Sequence, residues 1–249
     1  MSTVPGAPDH ALIVGRPRAT ADAPRIGEAE TENNDCSVIR LHCGGSRELS
    51  ETVLFPVTPS QRQGIEDLRL VRFTEDDGAI QYLGTYTAFS GAAERSELLR
   101  TDDFRTFEMR ALEGSPAESK GMALFPRRID GRYMMLGRQD NENIWLHASD
   151  ALYSWNDGYR IIRPEWTWEF VQMGNCGSPI EIDEGWLVIT QGFGAARNYL
   201  LGACLPAHAH ASKVLAQLSF SPVHPAARLA DTPVPTVVPS CGSLVMWPR

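Results

Sequence analysis

Short β-rich runs alternate along the chain with acidic, glycine-containing turns, and no stretch sustains an apolar period near 3.6. Three turns share one form: Asp76-Asp77-Gly78 precedes AIQYLGTYTAF, Asp130-Gly131 precedes RYMMLGR, and Asp183-Glu184-Gly185 precedes WLVITQG. Their glycines are 53 and 54 residues apart, and each turn follows an apolar run, Leu68 to Phe73, Met122 to Ile129 and Ser178 to Ile182. A second element keeps the beat. Thr101-Asp102-x-Phe104-x-x-Phe107 returns 48 residues later as Ser149-Asp150-x-Leu152-x-x-Trp155. A period of this size, with several short strands per unit, predicts an all-β fold of the β-propeller kind, in which each unit buries its faces against its neighbours. The Asp-Gly turns are expected to join hairpin strands, because glycine takes positive φ without a Cβ penalty.

Three units are clear between Gly64 and Leu205, with a vague one before them and a partial one from Ser240 to Arg249. Residues 1–50, rich in Ala, Pro, Glu and Asp, are expected to be a poorly defined segment or degenerate first blade. Residues 51–249 are expected to be the propeller, cut short in its last blade, so that the chain reads as a truncated copy of a longer protein. The stretch from Leu205 to Pro239 shows neither period and is expected to be connection plus irregular strand.

With 23 Lys+Arg against 31 Asp+Glu, the net charge of −8 lacks the basic footprint of a nucleic-acid partner. No window approaches the run of about 20 apolar residues that a membrane helix needs, and the first residues lack the pattern of a signal peptide. A cytoplasmic protein without membrane or nucleic-acid partners is expected. The five cysteines, at 36, 43, 176, 204 and 241, form no C-x-x-C pair and are expected to be packed, reduced thiols. His208, His210 and His224 sit among prolines and read as a solvated loop rather than a metal site.

No nucleophile elbow, phosphate-binding glycine loop or H-E-x-x-H motif is present. What remains is carboxylates near strand starts, basic residues at the same place in later units, and aromatics, which suits a carbohydrate site: sugar rings stack on flat apolar faces and a glycosidic bond needs a protonated carboxyl beside its leaving oxygen. Gly64-Ile-Glu-Asp-Leu-Arg69 is the most concentrated candidate, since two carboxylates and a guanidinium interrupt an apolar strand; the plainer reading is a surface ion pair worth under about 1 kcal/mol. Lys120 and Arg138 flank the next strand pair and either meet an anion or face water. The tryptophans at 145, 155, 166, 168 and 186 are expected in the core more than as sugar platforms.

Over roughly residues 50 to 245, five ordered segments together resemble glycoside hydrolase family 130, the five-bladed β-propeller enzymes that cleave β-mannosides by phosphorolysis or hydrolysis. Gly64 to Arg69, followed by Tyr82-Leu-Gly-Thr-Tyr-Thr-Ala88, resembles the family's G-x-E-D-P-R strand and its Y-x-x-T-Y-T-A continuation. Lys120-Gly-Met-Ala-Leu-Phe-Pro126, the turn Ile129 to Tyr133 and Arg138 resemble an N-K-D-x-x-L-F-P segment and its downstream arginine. Asn143 to Leu146 with Ser149 to Trp155, Gly174 to Ile180 with Gly185 to Ile189, and Val237 to Gly242 are similar to the later segments. The resemblance implies an inverting mechanism with Asp67 as general acid, protonating the glycosidic oxygen through a mannosyl hydroxyl. It implies Arg69 orienting Asp67 and lowering its pKa, with Glu66, Arg69, Tyr86 and Asp140 binding substrate. Lys120, Arg138, Arg197 and Tyr199 would hold phosphate. The substrate would be a small oligosaccharide, the co-substrate inorganic phosphate, with no metal and no cofactor, and a homo-oligomer is compatible with it.

Departures from the family pattern keep other activities open. Leu68 replaces a proline, tolerable in an edge strand; Ser119 replaces an asparagine; Thr190-Gln191 stand for Tyr-His; and Glu181 stands for a lysine, where its charge is expected to repel phosphate. The last two favour an inverting β-mannosidase. The thin first blade and the absent closing segments favour an inactive or sugar-binding remnant.

Overall fold

The computed structural model describes residues 13–14, 29–30, 38–43, 52–193 and 199–219. Those residues are all-β, without an α-helix. No helix among them is long and apolar enough to cross a membrane.

The strands in order are β1 (Ile13–Val14), β2 (Ala29–Glu30), β3 (Val38–His42), β4 (Val53–Leu54), β5 (Gly64–Thr74), β6 (Ile80–Phe89), β7 (Glu94–Thr101), β8 (Thr106–Ala111), β9 (Ala123–Leu124), β10 (Tyr133–Gly137), β11 (Ile144–Ser149), β12 (Gly158–Ile162), β13 (Gln172–Asn175), β14 (Ile180–Ile182), β15 (Gly185–Phe193), β16 (Tyr199–Pro206) and β17 (Val214–Gln217). They form three successive antiparallel meanders: β5-β6-β7-β8, then β9-β10-β11-β12, then β13 and β14 together on β15, followed by β16 and β17. Gly78 and Gly131 stand between the first and second strands of a meander, with φ of 85° and 75°, and Gly185 opens β15, where it pairs with Ile182 of β14. The repeat in the sequence is therefore the repeat of the sheets. The second recurring element makes the turn from third to fourth strand, where Phe107 and Trp155 are fully buried.

One feature departs from expectation. β3 does not belong to a unit of its own: it pairs with β8, and β2 pairs with β3, so this segment extends the outer edge of the first sheet. The stretch after Leu205, expected to be connection plus irregular strand, contains the short strand β17, paired with β16 through a register shift between Leu205 and Pro206. The predicted partial unit from Ser240 to Arg249 lies outside the described residues.

Apolar side chains fill both gaps between sheets. Phe73, Leu83 and Leu98 of the first sheet pack on Leu124, Tyr133, Met135 and Trp155. Phe125, Leu136 and Leu146 pack on Met173, Trp186 and Val188 of the third. On the other face of the first sheet, Ile39, Leu54, Ile65, Tyr86 and Phe107 form another cluster. Cys176 and Cys204 are buried free thiols, and burial pushes the Cys204 thiol up. Consecutive arginines tie the sheets at the turn end. Arg128 reaches back to Glu75 at 3.3 Å and Asp76 at 3.5 Å, and its guanidinium lies 4.4 Å above the Tyr133 ring. Arg127 reaches forward to both oxygens of Glu181, at 2.9 and 2.5 Å, over the Trp186 ring. Glu181 is thus engaged by a cation, whose hydrogen bond holds its carboxyl below the usual range, and it is not a free charge that would repel phosphate.

Trp186→Ala, which empties the gap between the second and third sheets, is expected to cost about 3–5 kcal/mol in chemical denaturation. Tyr159→Ala, at a 72% exposed position, is expected to stay within about 0.5 kcal/mol.

Candidate active site

β5 is the edge strand of its sheet, and it contains one residue more than β6 can pair. Glu66 faces Thr87 and Arg69 faces Thr85, so Asp67 and Leu68 both stand opposite Tyr86. In a regular strand, residues three apart point to opposite faces; the bulge turns Glu66 and Arg69 to the same one. Asp67 absorbs the turn with φ of 58°, a left-handed conformation that costs a residue with a Cβ on the order of 1 kcal/mol. Its carboxylate is exposed and makes no hydrogen bond among the described residues.

The face shared by Glu66 and Arg69 looks onto the second sheet. Arg69, 4% exposed, donates from Nη1 to the Gly121 carbonyl, and its cross-strand neighbour Thr85 donates to the Met122 carbonyl. Arg69 therefore spends this donor on the seam between sheets rather than on Asp67. Gly121 (φ 89°) also receives Arg138: a Cβ there would lie 2.9–3.2 Å from Nε, Cδ and Cγ of that side chain. Gly174 of β13 meets Arg138 from the third sheet, where a Cβ would lie 3.3 Å from Cδ. Arg138, 8% exposed, is held between two glycines. Lys120, the residue before Gly121, places its Nζ 3.1 Å from Glu94 Oε1 and 3.8 Å from Glu66 Oε1. Glu66, Arg69, Lys120 and Arg138 thus converge on the segment at Gly121, while Asp67 stands exposed at the bulge between Glu66 and Arg69. Gln191 pairs with Gly174, on the face of the third sheet that meets Arg138, while Thr190 pairs with Asn175 and turns its hydroxyl to the other face, at Gly202.

Other expected residues take different places. Tyr86, 3% exposed, faces away from the second sheet, with its hydroxyl engaged by Glu97 and Gln61; burial, foremost, and the Glu97 charge raise its pKa well above the usual value. It supports the bulge from beneath and has no face open to a sugar. Asp140 shapes its own loop: it accepts the Glu142 and Asn143 N–H groups, the Asn143 amide at 2.7 Å and the Trp145 indole at 2.8 Å. That loop leaves directly from Arg138, whose carbonyl accepts the Asn141 N–H. Of Tyr199 only the backbone, the first residue of β16, is described, and Arg197 lies outside the described residues. Glu94, Glu97 and Gly121 were not singled out from sequence. Charge interrupting an apolar strand, which drew attention to residues 64 to 69, also marks Glu97 beside Leu98 and Leu99.

A family profile described as β-1,4-mannooligosaccharide phosphorylase, that of glycoside hydrolase family 130, matches residues 45–245. The chain belongs to glycoside hydrolase family 130. Among family 130 relatives it is 31% identical over 208 residues to a 1,2-β-oligomannan phosphorylase of Thermoanaerobacter sp., covering 79% of this chain and 66% of that protein. It is 30% identical over 159 residues to a β-1,2-mannobiose phosphorylase of Listeria innocua, covering 61% and 43%. A solved structure of β-1,2-mannobiose phosphorylase from Listeria innocua in complex with β-1,2-mannobiose superposes with a TM-score of 0.67 at 26% identity, over 78% of this chain and 55% of that one. The chain spans between 43% and 66% of the length of these relatives.

Burial raises the Asp140 carboxyl, but the N–H groups of Asn143, Glu142 and Trp145 outweigh it and hold its pKa below the usual carboxylate value. A depressed folded pKa gives stability that is full above the unfolded value and lost as pH falls through the folded one. Asp140→Ala is therefore expected to lower Tm at neutral pH, with the gap from the parent protein closing as pH falls below about 4 in a thermal-melt series.

Proposed function

We propose that this family 130 chain transfers a mannosyl unit from a β-mannoside to inorganic phosphate with inversion. The observation that carries the reading is the bulge, which leaves Asp67 strained and open to solvent and turns Glu66 toward Lys120 and Arg69 toward Gly121, where Arg138 also packs. The three meanders are read as consecutive blades of a five-bladed propeller, with their first strands lining the site. Asp67 gives its proton to the glycosidic oxygen, by way of a mannosyl hydroxyl, as the bond to the anomeric carbon breaks. A phosphate oxygen forms the new bond from the opposite face, so a β-linked sugar leaves as α-mannose 1-phosphate. Lys120 and Arg138 offset the charge of the incoming phosphate, a role that suits a fixed guanidinium beside an ammonium. Glu66 and Glu94 hold Lys120 in place until the anion arrives. No cofactor takes part. The β-1,2 linkage named for the Listeria and Thermoanaerobacter relatives is proposed as the first substrate to try.

Product analysis after incubation with β-1,2-mannobiose, with and without phosphate, tests this. Mannose 1-phosphate is expected only with phosphate, and Asp67→Asn is expected to slow its formation by roughly 10²–10⁴-fold. Lys120→Ala is expected to raise the KM for phosphate by about tenfold, the loss of one charge-assisted contact. Free mannose formed equally in both buffers would make the protein a hydrolase. No product from folded protein would make it a sugar-binding or inactive relative.

A further inference from the structure

We propose that Glu97 is a positioning residue for Asp67, gripping at one point both the chain that enters the bulge and the residue that faces it. This rests on the reading of Asp67 as the acid. Glu97 lies on β7 directly across from Tyr86 and is 3% exposed. Its Oε1 accepts the Ser60 hydroxyl at 2.6 Å, and its Oε2 accepts the Gln61 amide at 2.7 Å and the Tyr86 hydroxyl at 2.6 Å. Gln61, fully buried, also donates to the Tyr86 hydroxyl at 3.0 Å and accepts the Val57 N–H at 2.9 Å.

A carboxylate is expensive to bury, and an apolar side chain would fill this space at less cost. What the carboxylate adds is direction. Its oxygens fix Ser60 and Gln61, which run into Gly64 at the start of β5, together with Tyr86, the one residue that faces both Asp67 and Leu68. On the other face, Arg69 and Thr85 bind the carbonyls of Gly121 and Met122. The bulge is therefore clamped from two sides, which is how a left-handed aspartate is kept from relaxing into a regular strand. Without the grip of Glu97, β5 is free to slip by one residue, and Glu66 and Asp67 would change faces.

The test follows Glu97→Gln and Tyr86→Phe by amide hydrogen exchange and by steady-state kinetics. The amides of Glu66, Arg69 and Thr87, around the bulge, are expected to exchange about tenfold faster in both variants, while those of Met135 and Leu136 in the second sheet keep their rates. With β-1,2-mannobiose and phosphate, kcat is expected to fall about tenfold with KM held within about twofold, and the loss is expected to vanish in an Asp67→Asn background. Unchanged exchange at the bulge in folded variants overturns the proposal whether or not the protein turns over. A kcat loss that persists in full beside Asp67→Asn also overturns it. Faster bulge exchange in a protein without turnover supports the grip and rejects the catalytic reading instead. Should Glu97→Gln fail to fold, Tyr86→Phe, which removes a single oxygen, carries the same comparison.

Discussion

One extra residue in an edge strand decides which side chains of this protein meet. Without the bulge at Asp67 and Leu68, Glu66 and Arg69 would project to opposite faces of the first sheet. With it, both face the second sheet, where Arg69 binds the Gly121 carbonyl and Glu66 approaches Lys120. Gly121 is the matching constraint. Its missing side chain leaves the space that Arg138 occupies, and its positive φ presents its carbonyl to Arg69. A cluster of acids and bases from separate sheets is thus assembled by backbone geometry at two points.

The rest of the fold fixes those two points relative to each other. Apolar clusters on either side of the second sheet set the spacing of all three, and Arg127 and Arg128 join neighbouring sheets at the turn end. Those two residues are adjacent in sequence yet reach opposite ways, so one turn of the second sheet is tied to both neighbours. At the site end the ties are polar and buried, Thr85 and Arg69 on the seam and Glu97 behind it. Strain at Asp67 is affordable because the surroundings leave it no cheaper conformation.

The period of the repeat was legible in the sequence because hairpin turns require glycine at positive φ, and Gly78, Gly131 and Gly185 mark the same step in each sheet. The acidic strand Glu66-Asp67 and the cations Lys120 and Arg138 were legible from their resemblance to family 130. The bulge was not, since nothing in the residues 66 to 69 announces an unpaired position, and with it the common face of Glu66 and Arg69 was hidden. Tyr86 was expected to bind substrate from its place in the family-like run Tyr82 to Ala88; its burial, with the hydroxyl on Glu97 and Gln61, places it instead on the face away from the second sheet. Glu181 looked like an anion repellent until the Arg127 guanidinium was seen to cover it. Strand β17 falls in the stretch expected to be connection plus irregular strand; its bounds were hidden because an exposed edge strand needs no apolar period.

The central claim is that Asp67 and the pair Lys120 and Arg138 stand on opposite sides of one reacting carbon. A crystal structure of the protein soaked with mannose 1-phosphate tests it most directly. The account predicts the phosphoryl group within about 3 Å of Lys120 Nζ and the Arg138 guanidinium, with the sugar ring between it and the Asp67 carboxylate. A phosphoryl group bound away from both cations, or on the same side of the ring as Asp67, would contradict it.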